Sequence, residues 1–526
     1  MNKILIADPL QAAGIDILRD AGADVTVLAE DDRSRLNEIL GDHDALIVRS
    51  MTNVTREVLE AGRRLRVVGR AGIGVDNIDV AAATERGILV VNAPTANLLS
   101  ATEHTFALLL ALVRSIPAAD ASIKAGEWDR KRFVGAELQG KTLGVIGFGR
   151  IGQKVAERAR GFGMEVIAHD PFLDPSVAGR LDVELLEIEH LLGRADVVTL
   201  HTPLTDSTRG MLSADRVRAI KPGAILVNCA RGGLVDEAAL LEALESGAIA
   251  GAALDVFDEE PPTDLTLVRH PRVVATPHIG AQTREAQKRI AVETAKMVLS
   301  ALGGSLAVTA VNLPFGTTGS RGEPYLRLGE TLGRLAAGLL SGSVEGLQVD
   351  LWGIDEPFRV PVAVAALKGV LEPALGEAIN YVNAERVAED RGIEVVRATH
   401  ATPGDYPHLV GVTLRGAEGE VSLQGTLFGE RDPRVVGIEG YQLEFRPGGT
   451  LLVLSNLDVP GVVGKVGSLL GEAGINIGDI HLARSASGPR NRALAVLGLD
   501  QAPGPEVVEG LLALDEVEWV RVVEAE

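Results

Sequence analysis

Three short stretches of the chain hold side chains suited to gripping a carboxylate and moving a proton. They are Asn228-Cys229-Ala230-Arg231-Gly232-Gly233, Asp255-Val256-Phe257-Asp258-Glu259-Glu260-Pro261 and Thr276-Pro277-His278-Ile279-Gly280. Arg231 offers a planar fork that matches a carboxylate and polarises a neighbouring carbonyl. His278 has the side chain that trades protons near neutral pH, and a carboxylate such as Glu260 fixes which ring nitrogen carries the proton. A cation for the acid group and a base for the hydroxyl proton are what oxidation of a 2-hydroxy acid requires. His201, in Leu200-His201-Thr202-Pro203, also follows an apolar run. Position alone therefore leaves two candidate histidines.

Such an oxidation needs a hydride acceptor, and the chain contains a pattern for holding one. Gly147-Phe148-Gly149-Arg150-Ile151-Gly152 follows the apolar run 142–146 and opens a helical pattern through Val155 and Ala159. There, Gly147, Gly149 and Gly152 permit a tight turn, close backbone approach and a helix N-terminus aimed at a pyrophosphate. Asp170 ends the next apolar run, about twenty residues on, where a carboxylate accepts from both ribose hydroxyls and selects NAD over NADP. The bare pattern is weak in a chain with 60 glycines, and its strand–turn–helix setting is what makes it a dinucleotide site.

Short apolar runs at 3–7, 24–28, 45–48, 67–68 and 89–91 read as strands buried on both faces. A second series follows at 142–146, 165–169, 197–200, 224–228, 252–255 and 273–275, with helical stretches such as 55–61 and 80–86 between runs. This alternation predicts an α/β architecture with two doubly wound parallel sheets, and a long helical pattern at 101–125 is expected to bridge them. In such sheets the chemistry lies at the carboxyl ends of strands, where Arg231, Asp255 and His278 all fall. Turn residues at 312–322 and Arg446-Pro447-Gly448-Gly449 mark two further boundaries. Between them, helical patterns at 325–340 and 362–371 mix with alternating strand-like runs such as 411–415 and 420–425, an α+β arrangement. The segment 450–523 then reads strand, helix, strand, strand, helix, strand, the βαββαβ order of a ferredoxin-like fold.

A length of 526 residues suggests three or four domains. With 72 acidic against 51 basic residues, the net charge of −21 repels a phosphate backbone, so no nucleic-acid partner is expected. The single cysteine, Cys229, excludes an intrachain disulfide and a multi-cysteine metal cluster, and it fits a reducing compartment. No metal is expected. The longest apolar run, 105–113, falls short of the roughly 18 residues a membrane span needs. Asp8 interrupts the apolar core that a signal peptide would continue, which makes the cytoplasm the expected compartment.

Taken together, these motifs resemble the D-isomer-specific 2-hydroxyacid dehydrogenase family. The likeness runs in order and spacing over residues 1–312, through Gly69-Arg70-Ala71-Gly72-Ile73-Gly74-Val75-Asp76-Asn77, 147–152, 228–233, 255–261 and Pro277-His278-Ile279-Gly280-Ala281. It implies His278 as the acid/base, Glu260 as its orienting carboxylate and Arg231 as the carboxylate-binding group. It also implies NAD contacts at Ile73, Arg150, Ile151, Asp170, Thr202, Cys229, Ala230, Arg231, Asp255, His278, Ile279, Gly280 and Ala281, beside the turn glycines. Ile73 stands where the family often has Thr or Val, so contact there runs through backbone or apolar surface. Cys229 is expected to be a small buried residue without a redox role.

The resemblance is nearest to long-form members that oxidise 3-phosphoglycerate to 3-phosphooxypyruvate at the start of L-serine synthesis. It implies substrate contacts at Arg49, Ser50, Gly72 and Asn97, with phosphate contacts from Arg130 and Arg132 across a subunit boundary. A homo-oligomer is expected, a tetramer or at least a dimer. The segment 323–446 resembles the intervening domain of that form through Gly425-Thr426-Leu427-Phe428-Gly429 and Arg434-Val435-Val436, with Arg434 as the expected anion-binding cation. The segment 450–526 resembles an ACT domain, in which Asn456, Asp458 and Asn476 are expected to converge on an amino-acid effector, serine, near a helix N-terminus. Serine-binding relatives commonly have an aromatic or His where Asn456 stands, which keeps open a ligand-free dimerisation module. The implied domains are 1–98 with 284–312 for substrate, 99–283 for NAD, 323–446 intervening and 450–526 regulatory. Two other functions stay open on the same scaffold: an NADH-dependent reductase of glyoxylate, hydroxypyruvate or 2-oxoglutarate, and a non-catalytic NAD-sensing corepressor.

Overall fold

Runs of consecutive apolar residues are satisfied only when both faces of a sheet are covered, and the first half of the chain builds two such sheets. The computed structural model describes residues 1–304, 309–316, 318–401, 406–429, 431–484 and 491–525. The first sheet contains β1 (Lys3–Ile6), β2 (Asp24–Val27), β3 (Ala45–Val48), β4 (Val67–Arg70) and β5 (Leu89–Asn92). They lie parallel in the order β2-β1-β3-β4-β5. The second contains β6 (Thr142–Ile146), β7 (Glu165–His169), β8 (Glu184–Leu185), β9 (Val197–Leu200), β10 (Ile225–Asn228), β11 (Gly251–Leu254) and β12 (Val273–Ala275). Its order is β12-β11-β10-β9-β6-β7-β8, again parallel throughout. The winding reverses between β1 and β3 and between β6 and β9. Each reversal opens a crevice at the carboxyl ends of the strands, which is where ligands bind in such sheets.

The predicted bridging helix is broken in two. Leu98–Val113 and Ile116–Lys124 meet at a 61° bend around Ser115, whose φ is 51°. The left-handed residue ends one helix, and Pro117 is set to start the next because its missing N–H falls in the first turn. Among the described residues no single helix is long and apolar enough to cross a membrane. The helix Arg284–Leu302 returns to the first sheet and packs on β4 and β5. A Cβ on Gly14 would stand 2.6 Å from the Ala291 carbonyl oxygen, so only glycine admits that approach. Asn312 then clamps the chain to the sheet edge, accepting from Val90 N and donating to Ile88 O, both at 2.9 Å.

The third unit is a six-stranded sheet of β13 (Val344–Trp352), β14 (Glu394–His400), β15 (Leu409–Gly416), β16 (Gly419–Phe428), β17 (Asp432–Ile438) and β18 (Tyr441–Phe445). Its order is β14-β13-β15-β16-β17-β18, with only β13 and β14 parallel. The helices Gly319–Leu339 and Glu356–Leu375 supply its apolar cover. The first begins inside the segment predicted as a turn linker, of which Thr317 lies outside the described residues. Its glycine content reflects packing as well as turning: a Cβ on Gly322 would lie 3.2 Å from the Phe358 ring.

The same device brings the two helices together. A Cβ on Gly329 would lie 2.6 Å from Val362 O, and one on Gly333 would collide with Ala366 O. Across the pair, Arg334 meets Glu372 at 2.7 Å, Lys368 meets Glu330 and Glu372, and Tyr381 donates to Glu330 at 2.7 Å. Arg334 also donates to Ala525 O at 3.2 Å, and Asn380 donates to Gly87 O at 2.7 Å. The helix pair and its following loop therefore touch both the last domain and the first.

The last unit comprises β19 (Thr450–Leu457), the helix Val462–Glu472, β20 (Ile477–Arg484), β21 (Arg492–Leu499), the helix Pro505–Leu512 and β22 (Val517–Glu524). The antiparallel order β20-β21-β19-β22 is the expected ferredoxin-like one. One face of this sheet, through Leu451, Val453, Val496 and Val523, joins the apolar core of the third unit. Gly333→Leu should force the helix pair apart and destabilise that shared core by about 1–3 kcal/mol or more. Thermal unfolding followed by circular dichroism should show a lowered transition, and an unchanged midpoint would contradict the close packing.

Candidate functional site

The two crevices face each other across a cleft of about 850 Å³. The first sheet contributes Ser50, Asn53, Arg70 and Asp76 to its lining, and the second contributes Arg231, Glu260 and His278.

On the second sheet the glycine turn has the shape that a dinucleotide needs. Gly147 has φ 88°, and a Cβ there would lie 2.7 Å from Thr202 Cγ2. A Cβ on Gly152 would strike the Gly147 carbonyl, whereas one on Gly149 would meet nothing within 4 Å. Gly149 caps the helix Arg150–Gly161 without a side-chain hydrogen bond, so the first N–H groups of that helix are not capped by a side chain. Arg150 is exposed at the head of that helix and Ile151 is half-buried. Asp170 accepts from Phe148 N at 2.9 Å and from Phe172 N at 3.0 Å, which holds its carboxylate beside the turn. These residues fit NAD.

The catalytic turn is held from beneath. The N–H of His278, a residue with φ 51°, donates to Asp255 O at 2.8 Å and Thr276 O at 3.0 Å. Asp255 is 1 % exposed, and its carboxylate accepts from Thr276 Oγ1 at 2.5 Å and from Ile279 N and Gly280 N at 2.8 Å. Both of its oxygens are thus engaged by the protein, and the work observed for Asp255 is to fix the turn. Ala281 O accepts from Gln287 at 2.9 Å. Above the turn, His278 Nδ1 lies 2.7 Å from Glu260 Oε2. A carboxylate only accepts, so Nδ1 carries the proton and Nε2 presents its lone pair. His201, the other candidate, contacts Thr199 Oγ1 at 3.0 Å, and desolvation pushes its pKa down to about 4. It has no carboxylate partner among the described residues. The geometry thus favours His278.

Arg231 Nε donates to Asp76 at 2.7 Å and Nη1 to Ala230 O at 2.6 Å, leaving Nη2 free of a described partner. A Cβ on Gly74 would collide with that Nη2, so glycine is what lets Arg231 lie across the cleft. Asp8, 2 % exposed at the end of β1, accepts from Arg49 N at 2.6 Å and from Thr52 Oγ1 at 2.8 Å. This shapes the turn that carries Arg49 and Ser50. Burial lowers the pKa of Arg49. Arg70, at the end of β4, is held at about 10 by burial and by the positive charge of Arg231, with a smaller push from Arg49. Its Nε is buried without a partner among the described residues. Cys229 is half-buried, and desolvation raises its thiol to about 12, so it carries no thiolate at neutral pH.

Arg70 and Asp76 do not stand out from sequence, although both lie in the quoted Gly69–Asn77 stretch; they become functional only when β4 and β10 are brought together. The other expected contact residues are placed as follows. The Gly72 N–H donates to Arg70 O at 2.8 Å, and the absence of a Cβ at this position leaves room for the Arg70 side chain. The Ile73 carbonyl is taken by Asn92 at 2.7 Å, leaving its apolar surface. Asn97 heads the helix Leu98–Val113 with Oδ1 buried and without a partner among the described residues. Arg130 and Arg132 lie on an exposed turn outside the cleft lining, Arg132 near Glu127 at 3.6 Å. Arg434 pairs with Asp432 at 2.9 Å, a carboxylate that it shares with Arg446 at 2.8 Å.

The regulatory cluster does not converge within one chain. Asp458 follows the end of β19 and pairs with Arg484 at 2.8 Å, while Asn456 is 4 % exposed and donates to Leu457 O. Asn476 sits at the other end of the sheet and donates to Asp500 at 2.8 Å. The register explains this: Leu457 pairs with Arg492, whereas Ile477 pairs with Leu499.

Residues 106–280 match the family model for the D-isomer specific 2-hydroxyacid dehydrogenase NAD binding domain. A Thermus thermophilus protein of solved structure, TT0316, is 38 % identical, with a TM-score of 0.54 over 59 % of this chain and 99 % of its own. The Aquifex aeolicus D-lactate dehydrogenase, solved with NAD and lactic acid, is 30 % identical, with a TM-score of 0.53 over 58 % of this chain and 96 % of its own. Fold and site thus define an NAD-dependent D-2-hydroxyacid dehydrogenase. Residues 322–439 match the D-3-phosphoglycerate dehydrogenase intervening domain and 450–516 the ACT domain. The D-3-phosphoglycerate dehydrogenase of Methanocaldococcus jannaschii is 43 % identical over 99 % of this chain and all of its own. That of Bacillus subtilis is 38 % identical over the full length of both. The chain belongs to the D-3-phosphoglycerate dehydrogenase family.

Asp170→Ala should erode the preference for NAD over NADP, because the carboxylate repels a 2′-phosphate. Comparing kcat/KM for the two cofactors tests this, and equal use of NADP by the unaltered protein would contradict it.

Proposed function

We propose that the chain oxidises 3-phospho-D-glycerate to 3-phosphooxypyruvate with NAD, the entry step of L-serine synthesis. The observation that carries this reading is the placing of Arg70 and Arg231 in one cleft beside the His278–Glu260 pair. A simple hydroxy acid offers one carboxylate, which one guanidinium satisfies. Two guanidinium groups in one cleft instead suit a carboxylate and a phosphate together. The full-length relatives carry the corresponding name. This weighs against a glyoxylate- or hydroxypyruvate-type reductase, and the His278–Glu260 geometry weighs against a non-catalytic corepressor.

NAD, held by the glycine turn and Asp170, would supply the acceptor for the hydride that leaves C2 of the substrate. His278 Nε2 takes the hydroxyl proton as the C2–O bond becomes a carbonyl, and Glu260 stabilises the imidazolium that forms. Arg231 Nη2 holds the substrate carboxylate and steadies the growing carbonyl. Arg49 and Arg70 take the phosphate, with Ser50 at the rim. Arg130 and Arg132 serve the cleft of a second copy in a homo-oligomer. The exposed Trp128 and Val134 on the same stretch, at 80 % and 84 %, support an assembly contact there. The proposed compartment is the cytoplasm, in keeping with a free cysteine held in the site.

Serine is the proposed effector of the ACT domain, bound by Asn456 and Asp458 of one copy and Asn476 of another. The separation of these residues within one chain supports a shared site.

In a coupled NADH assay, His278→Ala should lower turnover with 3-phosphoglycerate about 10²- to 10⁴-fold while NADH binding persists. Unchanged turnover would move the active site elsewhere. L-Serine should inhibit the full chain, with a coupling that shifts substrate affinity roughly 5- to 150-fold where it acts on binding. Asp458→Ala should remove that response. Inhibition by another amino acid and not by serine would identify a different effector.

A further inference from the structure

The helix Leu98–Val113 leaves the first sheet's domain and runs along β11 and β12 of the second. Ser100 and His104 are one turn apart and so share a face. Ser100 is 5 % exposed, and its hydroxyl donates to Gly280 O at 2.7 Å. His104, with a side chain 15 % exposed, places Nε2 3.1 Å from Asp255 Oδ1 and 3.0 Å from Thr276 Oγ1. The Thr276 hydroxyl proton is already given to Asp255, and a carboxylate only accepts. His104 Nε2 therefore carries a proton and donates into this group. Asp255 in turn holds the N–H groups of Ile279 and Gly280, the two residues after His278.

The catalytic turn is thus gripped at two points by one helix face, through a backbone carbonyl and through a buried carboxylate. A grip is needed there. His278 has a left-handed backbone, at φ 51°, which a non-glycine residue keeps only when its surroundings overdetermine it. Its ring is 41 % exposed and is tied by one side-chain bond, to Glu260, so the backbone decides where Nε2 points.

We infer that Ser100 and His104 are positioning residues for the oxidation: the helix joining the two domains sets the placement of the His278 imidazole through Gly280 and Asp255. Neither residue lines the cleft, and both act through the turn. The inference rests on His278 being the acid/base.

The test is steady-state kinetics of the full chain with NAD and 3-phosphoglycerate, with NADH affinity measured separately by fluorescence. His104→Leu removes the donor at similar volume and should lower kcat on the order of 10- to 100-fold, as small misplacements of a reacting group do. KM and NADH affinity should stay within about 3-fold of the unaltered protein, since the two altered side chains do not line the cleft. His104→Gln, whose amide nitrogen reaches the place of Nε2, should recover most of the loss. Ser100→Ala should lower kcat in the same way, and it decides the matter if His104→Leu does not fold. Unaltered kcat in Ser100→Ala and His104→Leu would overturn the inference, as would a loss confined to KM or a failure of His104→Gln to recover. His278→Ala, run in the same series, separates the two readings. If it is inactive while the helix variants are fully active, only this inference fails; if it is fully active, the reading of the site fails as well.

Discussion

A carboxylate taken out of water must be met by donors on every side, and the active site is organised around one that is. Burial alone pushes an acid such as Asp255 up. The bonds from His104, Thr276 and Ile279 outweigh it and leave Asp255 below its ordinary value, ionised and saturated. What those donors share is their location: they come from the joining helix, from the end of β12 and from the turn after it. Satisfying one buried charge therefore locks together the elements that must agree on where His278 stands. The rest of the chemistry depends on that agreement, because the Glu260 pairing orients a ring whose position is already set.

Around this anchor the electrostatics are divided by side. The chain carries a net charge of −21, yet the end of β4 and the loop after β10 bring Arg70 and Arg231 to one cleft. Asp76 keeps Arg231 extended across the opening. On the cofactor side, desolvation holds His201 neutral and keeps the Cys229 thiol protonated at neutral pH. The positive wall thus faces an anionic substrate, while His278 alone of the two histidines has a carboxylate to stabilise its protonated form.

Much of this is legible in the sequence, for identifiable reasons. Strands buried on both faces are written as consecutive apolar residues, so β1, β3, β6 and β9 can be placed, and a glycine turn between strand and helix marks a dinucleotide site. Arg231, Glu260 and His278 stand out because each follows a strand. Other features depend on contacts between distant parts of the chain. A lone histidine in the apolar pattern around His104 reads as a core residue until β12 is placed beside it, although Ser100 one turn earlier is a signal that one face is not apolar. Asp76 finds its partner 155 residues away. The break at Ser115 is hidden because an apolar pattern continues through it while the backbone does not. The ACT residues are expected to converge near one helix N-terminus, but an antiparallel strand pair carries Asn476 to the far end of the sheet. Arg434 reads as a free cation only while Asp432, two residues away on the same strand, is left out as its partner.

The most direct test of the anchoring role is the primary deuterium isotope effect on kcat for Asp255→Asn with 3-phosphoglycerate deuterated at C2. An amide in place of the carboxylate cannot accept on both sides, so the turn should loosen and the hydride step should slow. The account predicts a lower kcat together with an isotope effect larger than that of the unaltered enzyme. An unchanged kcat, or a fall accompanied by an isotope effect that shrinks toward unity, would contradict it.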